Sequence, residues 1–414
     1  MNNDKFLKFS ISFLSIYMFW WFLFSKTVIV PGIAVYVCFI GLLVLFGICL
    51  IRSSKISVNC SALLWIPFLI YRILSYVMIT DFEHVSYWTV CLFLILIAGV
   101  CDIQECFNPS IFFVSGILAL LGIGIQVFIP TFYYAYVVNF FTESTKVINW
   151  AVTEGYAGIT FQLEMTAVIL LTAEAVVLYF MENKHKLFTW RNILLVLIVL
   201  GIFLTGKRLM SIMAIILPLF CWMLTKKGDL RKILIFIVIV GILFVGFMYL
   251  WNNPDSFADS DLLRRLSNSI QAFKAGEDVT SGRSYLQSKA VKIFQAHPVF
   301  GIGVDQYKIA AGVSTDVHNS YLQVLCEMGV IGFIFYVIPI LWCLLFSVIK
   351  FRKMAFAENE QCCLRFSIYI QMFFVINGLT ENTNSNISDF FIYFLAVALM
   401  ISVTSVRPLL KQYE

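Results

Sequence analysis

Apolar runs of about twenty residues recur along almost the whole chain, and no other feature limits its fold so tightly. A helix of that length crosses the hydrocarbon layer of a bilayer. The runs fall at about 7–25, 28–51, 60–80, 85–101, 110–129, 158–181, 191–205, 206–225, 233–251, 321–349, 364–381 and 387–406. Hydrophobic residues make up 61% of the sequence and charged residues 13%, and the mean hydropathy is +0.90. A soluble chain carries roughly 25% charged residues, so this much apolar surface cannot be hidden in one aqueous core. A membrane β-barrel would alternate apolar and polar residues, and no such alternation is present. The sequence predicts an all-α fold: a polytopic transmembrane helical bundle of about twelve spans, forming a single membrane domain over 1–414.

Lysine and arginine set the orientation. Short cytoplasmic loops carry an excess of both. Arg52 and Lys55, Lys184, Lys186 and Arg191, Lys226, Lys227, Arg231 and Lys232, and Lys350, Arg352, Lys353 and Arg365 fall on one side, with Arg407 and Lys411 in the tail. Asp81, Glu83, Glu143, Glu154, Glu381 and Asp389 fall on the other. The expected arrangement is a multi-pass membrane protein with both termini cytoplasmic. Lys5 and Lys8 precede an apolar run without a small-x-small cleavage site, so the first span reads as an uncleaved signal-anchor.

Two outer segments exceed the length of simple connectors. The first, about 130–157, is rich in aromatics (Phe132, Tyr133, Tyr134, Tyr136, Trp150) and suits the membrane interface. The second, 252–318, is a large helical extracytoplasmic loop. Leu263, Leu266, Ile270 and Phe273 recur at helical spacing and stop at Gly276. Thr280 or Ser281 then caps a helix with Leu286, Ala290, Ile293 and Phe294 on one face, halted by Pro298. The loop contains no cysteine, so no disulfide staples it. Gly301 and Gly303 make a flexible turn. Leu322, Leu325, Gly329 and Gly332 continue at helical spacing into the next span.

Polar groups at membrane depth are costly unless paired or wetted. Arg72 and Glu164 lie at similar depth near the outer surface, so they form an ion pair with each other or one of them meets substrate. Lys207 and Arg208 open a span; they snorkel to the headgroups or bind an anion. Positive charge is scattered, which argues against a nucleic-acid partner. No P-loop, dinucleotide fingerprint or metal-ligand spacing occurs, and no cofactor is expected.

One constellation is specific. Arg283 begins the amphipathic helix, then come Pro298, Gly301, Gly303, His318, Asn319, Leu322 and Gly329. An arginine also stands at a preceding span's outer end, within Thr205-Gly206-Lys207-Arg208. In this the sequence resembles the O-antigen ligase and O-antigen polymerase superfamily of bacterial membrane proteins. The family's arginine commonly stands in a Thr-Gly-Ser-Arg context, and here lysine replaces the serine. The match runs over about 205–332, and the remainder agrees only in span pattern.

The resemblance implies transfer of an undecaprenyl-pyrophosphate-linked glycan to an acceptor glycan outside the cytoplasmic membrane, by a metal-independent glycosyltransferase. It implies Arg208 and Arg283 as catalytic residues holding the pyrophosphate, and His318 as the one that orients or deprotonates the acceptor hydroxyl. A guanidinium is always charged and grips phosphate oxygens bidentately. Histidine exchanges protons near neutral pH. Lys207, Arg72, Glu164 and Asn319 join them as candidate substrate-binding residues. Membrane lipids and a chain-length regulator complete the expected partners. A repeat-unit polymerase is the favoured member of the family. A ligase acting on lipid A-core or protein is the alternative. A flippase or other transporter fits less well, because the chain shows no internal repeat.

Overall fold

The computed structural model describes residues 23, 60–79, 103–141, 155–181, 189–225, 230–258, 260, 263–277, 279–280, 282–354, 356–383 and 387–405. The spans expected at 7–25, 28–51 and 85–101 lie outside these residues, apart from Leu23. Helices follow one another: α1 (Cys60–Leu63), α2 (Ile66–Ile79), α3 (Ile103–Cys106), α4 (Ser110–Phe128), α5 (Pro130–Ala135), α6 (Leu163–Phe180), α7 (Trp190–Leu204), α8 (Arg208–Thr225), α9 (Leu230–Asn252), α10 (Arg264–Lys274), α11 (Arg283–Ala296), α12 (Tyr307–Ala311), α13 (Ser320–Lys353), α14 (Glu358–Asn377) and α15 (Ile387–Ser405). Among the described residues there is no strand. By length and composition, α4, α6 and α13 can each cross a membrane. Shorter apolar helices lie over Cys60–Ser75, Trp190–Leu204, Arg208–Leu224 and Asp389–Thr404.

The chain divides into two compact units. One comprises residues 1–14, 33–107 and 280–414; the other comprises 15–32 and 108–279.

In the second unit, α4 and α6 approach so closely that a Cβ on Gly116 would lie 2.3 Å from the Cβ of Ala173. Small residues permit such contact where packing alone drives helix association. Helices α7 and α8 form a tight hairpin. Thr205 ends α7, and Gly206 (φ +68°) adopts the left-handed backbone that a side chain disfavours. The hairpin resolves the pair of spans that only Thr205-Gly206 separates in sequence. The described aromatic residues after α4 are pinned to the interior of this unit. Tyr133 Oη donates to the Gly158 carbonyl (2.7 Å), and the Phe141 and Phe161 rings stack with centroids 3.8 Å apart. Phe132, Tyr134, Tyr136 and Phe140 stay exposed.

In the first unit, α15 is buried on nearly every side. An all-round apolar helix needs such a central place. Trp65, Phe68, Tyr336 and Phe374 are buried beside it, with Trp65 against its Phe394 and Phe374 against its Tyr393. Polar ties cross the core: Ser367 Oγ donates to the Ala396 carbonyl (2.6 Å), and Gln371 Nε2 donates to Ser347 Oγ (2.9 Å).

Two expectations change here. Helix α13 is not continuous, because Gly329 breaks it with φ +64° and ψ −168°. The segment Pro298–Gly303 is not a flexible turn, because it is spliced into that break. Ile302 N–H donates to the Cys326 carbonyl (3.2 Å) and Gly303 N–H to the Glu327 carbonyl (2.8 Å). Val330 and Ile331 N–H donate to the Pro298 and Val299 carbonyls (2.9 and 3.4 Å). A break in a helix orphans carbonyls on one side and N–H groups on the other, and inside a membrane protein each must find a partner. The loop supplies all four. Tyr71 Oη donates to the Phe300 carbonyl (3.1 Å), and Val304 N–H donates to Ser75 Oγ (3.0 Å), fastening the splice to α2.

Candidate active site

The splice places Arg283 and His318 on fixed supports. Helix α11 follows Gly282, and Thr280 Oγ1 accepts from Ser284 N–H (3.2 Å). Its apolar face (Ala290, Ile293, Phe294) packs with Tyr307, Val317 and Cys326. That burial sets which way Arg283 turns. On the other side, Asn319 caps α13, its Oδ1 accepting from Leu322 N–H (3.0 Å) while its Nδ2 donates to the Leu379 carbonyl (3.2 Å). Asn319 thus works as a cap and a tie to the segment after α14. His318, just before it, has φ +55°. A left-handed backbone strains a residue with a side chain and persists only where the surroundings enforce it, often at functional sites.

The two side chains meet at Glu381, which in the sequence stands out only as one of the acidic outer residues. Arg283 donates from Nη1 to the Thr380 carbonyl (2.7 Å) and from Nη2 to Glu381 Oε1 (3.1 Å). His318 Nδ1 lies 3.4 Å from Glu381 Oε2. Glu381 is only 5% exposed, whereas the Arg283 and His318 side chains each keep 31%. The backbone that carries it is fixed, because Ser320 Oγ donates to the Glu381 main-chain carbonyl (2.8 Å) and Ser320 N–H to the Gly378 carbonyl (2.8 Å). A histidine that donates Nδ1–H to a carboxylate keeps Nε2 as its basic nitrogen, oriented for proton transfer. No signal in a single sequence separates Glu381 from the other acids at helix ends.

The remaining candidates fall as follows. Arg72 is 1% exposed and exerts its charge on buried Glu327, both in the first unit. In the second unit, Lys207 Nζ pairs with Glu164 Oε2 at 3.9 Å. Arg208, also in the second unit, donates from Nη1 to Ser269 Oγ on α10 (2.7 Å), with Nη2 3.5 Å from the Val279 carbonyl. His297 ends α11 on the exposed surface. Among the described residues, no three His, Cys, Asp or Glu side chains converge as a metal site would require.

Three helices long and apolar enough to cross a membrane, together with an arginine and a strained histidine on one shared carboxylate, have the character of an integral membrane protein with a polar cluster. The family model described as O-antigen ligase matches residues 193–337. That match, over about a third of the chain, supports a relationship to the O-antigen ligase/polymerase superfamily. It contains α7 to α12, the splice, Arg208, Arg283 and His318, and it ends before Glu381. No curated protein matches the sequence.

Proposed function

We propose that this protein transfers an undecaprenyl-pyrophosphate-linked glycan to an acceptor glycan at the outer face of the bacterial cytoplasmic membrane, as a repeat-unit polymerase. The observation that carries the reading is that Arg283 and His318, both inside the family-matched stretch, meet on one buried carboxylate beyond its end. In the reaction the acceptor hydroxyl oxygen attacks the anomeric carbon, and the bond from that carbon to the pyrophosphate oxygen breaks. The hydroxyl proton passes to His318 Nε2, and undecaprenyl pyrophosphate departs with the bonding electrons. Arg283 and Arg208 are the groups suited to its growing charge. Guanidinium groups in that role make the reaction metal-independent. Lys207 and Glu164 are placed beside Arg208 in sequence or by their ion pair, as contacts for the donor.

The family's description as O-antigen ligase favours a second reading, transfer to lipid A-core or protein. Glycan analysis of a deletion strain separates the two. Single repeat units on the normal acceptor are the expected result. Long polymer stranded on undecaprenyl pyrophosphate would establish the ligase instead, and an unchanged glycan would overturn both.

The accompanying topology has about twelve spans in one membrane domain, 1–414, with termini inside and 252–318 outside; 205–332 is its family core. Reporter fusions at Gly228, Lys353 and the C-terminus should give cytoplasmic signals, and a fusion at Gly276 an extracytoplasmic one. A cytoplasmic signal at Gly276 would reverse the placement of Arg283.

A further inference from the structure

Glu381 joins Arg283 to His318 on one side of the site. A second connection runs behind it. Tyr307 opens α12, is fully buried, and sits among Ala290, Val317 and Cys326. Its hydroxyl donates to the Leu286 carbonyl at 2.7 Å, three residues along α11 from Arg283. Its backbone N–H lies 3.4 Å from Glu327 Oε1 on α13, the helix that His318 and Asn319 lead into. Glu327 is itself held, accepting from Gln323 Nε2 (3.3 Å) and, at its carbonyl, from Gly303 N–H. The contacts close a ring: His318, Glu381, Arg283, α11, Tyr307, Glu327 and back along α13.

We propose that Tyr307 is a positioning residue that sets the spacing between Arg283 and His318 for the transfer step. The proposal rests on the functional reading above. Tyr307 touches neither reacting group; it acts through the helix that carries Arg283. Burial pushes its phenol up to about 12, so the hydroxyl keeps its proton and remains a donor at any physiological pH. Removing that donor would take away the side-chain tie from α12 to α11 and let Arg283 shift against His318.

The test uses the full-length protein in proteoliposomes, supplied with the undecaprenyl-pyrophosphate-linked glycan extracted from the producing cells. Tyr307→Phe keeps the ring in its apolar nest and removes only the hydroxyl. It should lower kcat about tenfold, as small misplacements of reacting groups do, with KM and melting temperature unchanged. 4-Aminophenylalanine at position 307 restores an N–H donor and should recover most of the rate. In an Arg283→Lys background the same Tyr307→Phe change should have little further effect, because residues acting as one unit are not additive. Spin labels on ketone side chains at positions 284 and 315 should show a broadened distance distribution in Tyr307→Phe that 4-aminophenylalanine narrows again. An unchanged kcat, an equal fall in both backgrounds, or an unaltered distance distribution would overturn the proposal. Wild-type protein that transfers no glycan would sink the functional reading, while the label distances would still decide the role of Tyr307.

Discussion

His318→Ala should lower glycan transfer by about a hundred- to thousand-fold, the usual cost of deleting one group that acts in the transition state. Protein accumulation should stay normal, because His318 is partly exposed. Arg283→Lys should fall as far. Lysine keeps the charge but cannot reach the Thr380 carbonyl and Glu381 Oε1 at once while still presenting donors outward. Glu381→Ala should match them, because it releases both partners together. The three should also fail to add: a His318→Ala, Glu381→Ala double variant should be no worse than either single. His297→Ala is the contrast. That residue closes α11 through its backbone N–H and is exposed, so most activity should remain. The measurement is kcat in membranes of matched protein content. Wild-type rates for His318→Ala with loss in His297→Ala would move the chemistry to the other end of α11.

Gly329→Ala should largely abolish accumulation of folded protein. A Cβ there would lie 2.2 Å from the Val299 carbonyl oxygen, and at Gly301 it would lie 2.3 Å from the Glu327 carbonyl carbon and oxygen. These neighbours are backbone, so no side chain can swing aside. A left-handed backbone costs a non-glycine residue about 1–2 kcal/mol. Forcing the segments of the splice apart also threatens four hydrogen bonds, each worth about 1 kcal/mol net. The total, roughly 5 kcal/mol, approaches the entire stability of many folded proteins. Gly301→Ala should behave the same way. Gly312 separates strain from collision: its φ is +59°, but a Cβ there meets nothing within 4 Å. Gly312→Ala should therefore cost only about 1–2 kcal/mol and leave the protein folded. Membrane accumulation and melting temperature in detergent read all three. A stable Gly329→Ala protein would mean that the break is not required.

Much of this architecture is legible in the amino-acid sequence. Apolar length places α4, α6, α8 and α13 within a few residues, because crossing a membrane demands a long uniform signal. The face of α11 from Leu286 to Phe294 is equally plain, since 3.6-residue periodicity survives in a single sequence. The break at Gly329 is not. Leu322, Leu325, Gly329 and Gly332 keep helical spacing straight through it, and only the incoming loop shows why the glycine is needed. Glu381 stays hidden for a different reason. Its role depends on two residues brought to it by chain segments 63 and 98 positions away, and tertiary contacts of that range leave no local pattern. Asn319, whose family context suggests substrate binding, also caps α13 next to His318, a role its Asn-x-x-Leu context alone does not reveal.

The splice at Gly329 has an evolutionary consequence. It anchors the chain at Gly303, and Ser320 anchors it again against Gly378. The residues between those two moorings begin and end at points that their own length does not set. Substitutions around the exposed Lys308–Asp316 ion pair can therefore drift without carrying His318 with them. A lineage could reshape the residues from Lys308 to Asp316 to suit a new acceptor while keeping Tyr307 and His318 in place. Divergent sequences around an invariant reaction are what such an arrangement would leave behind.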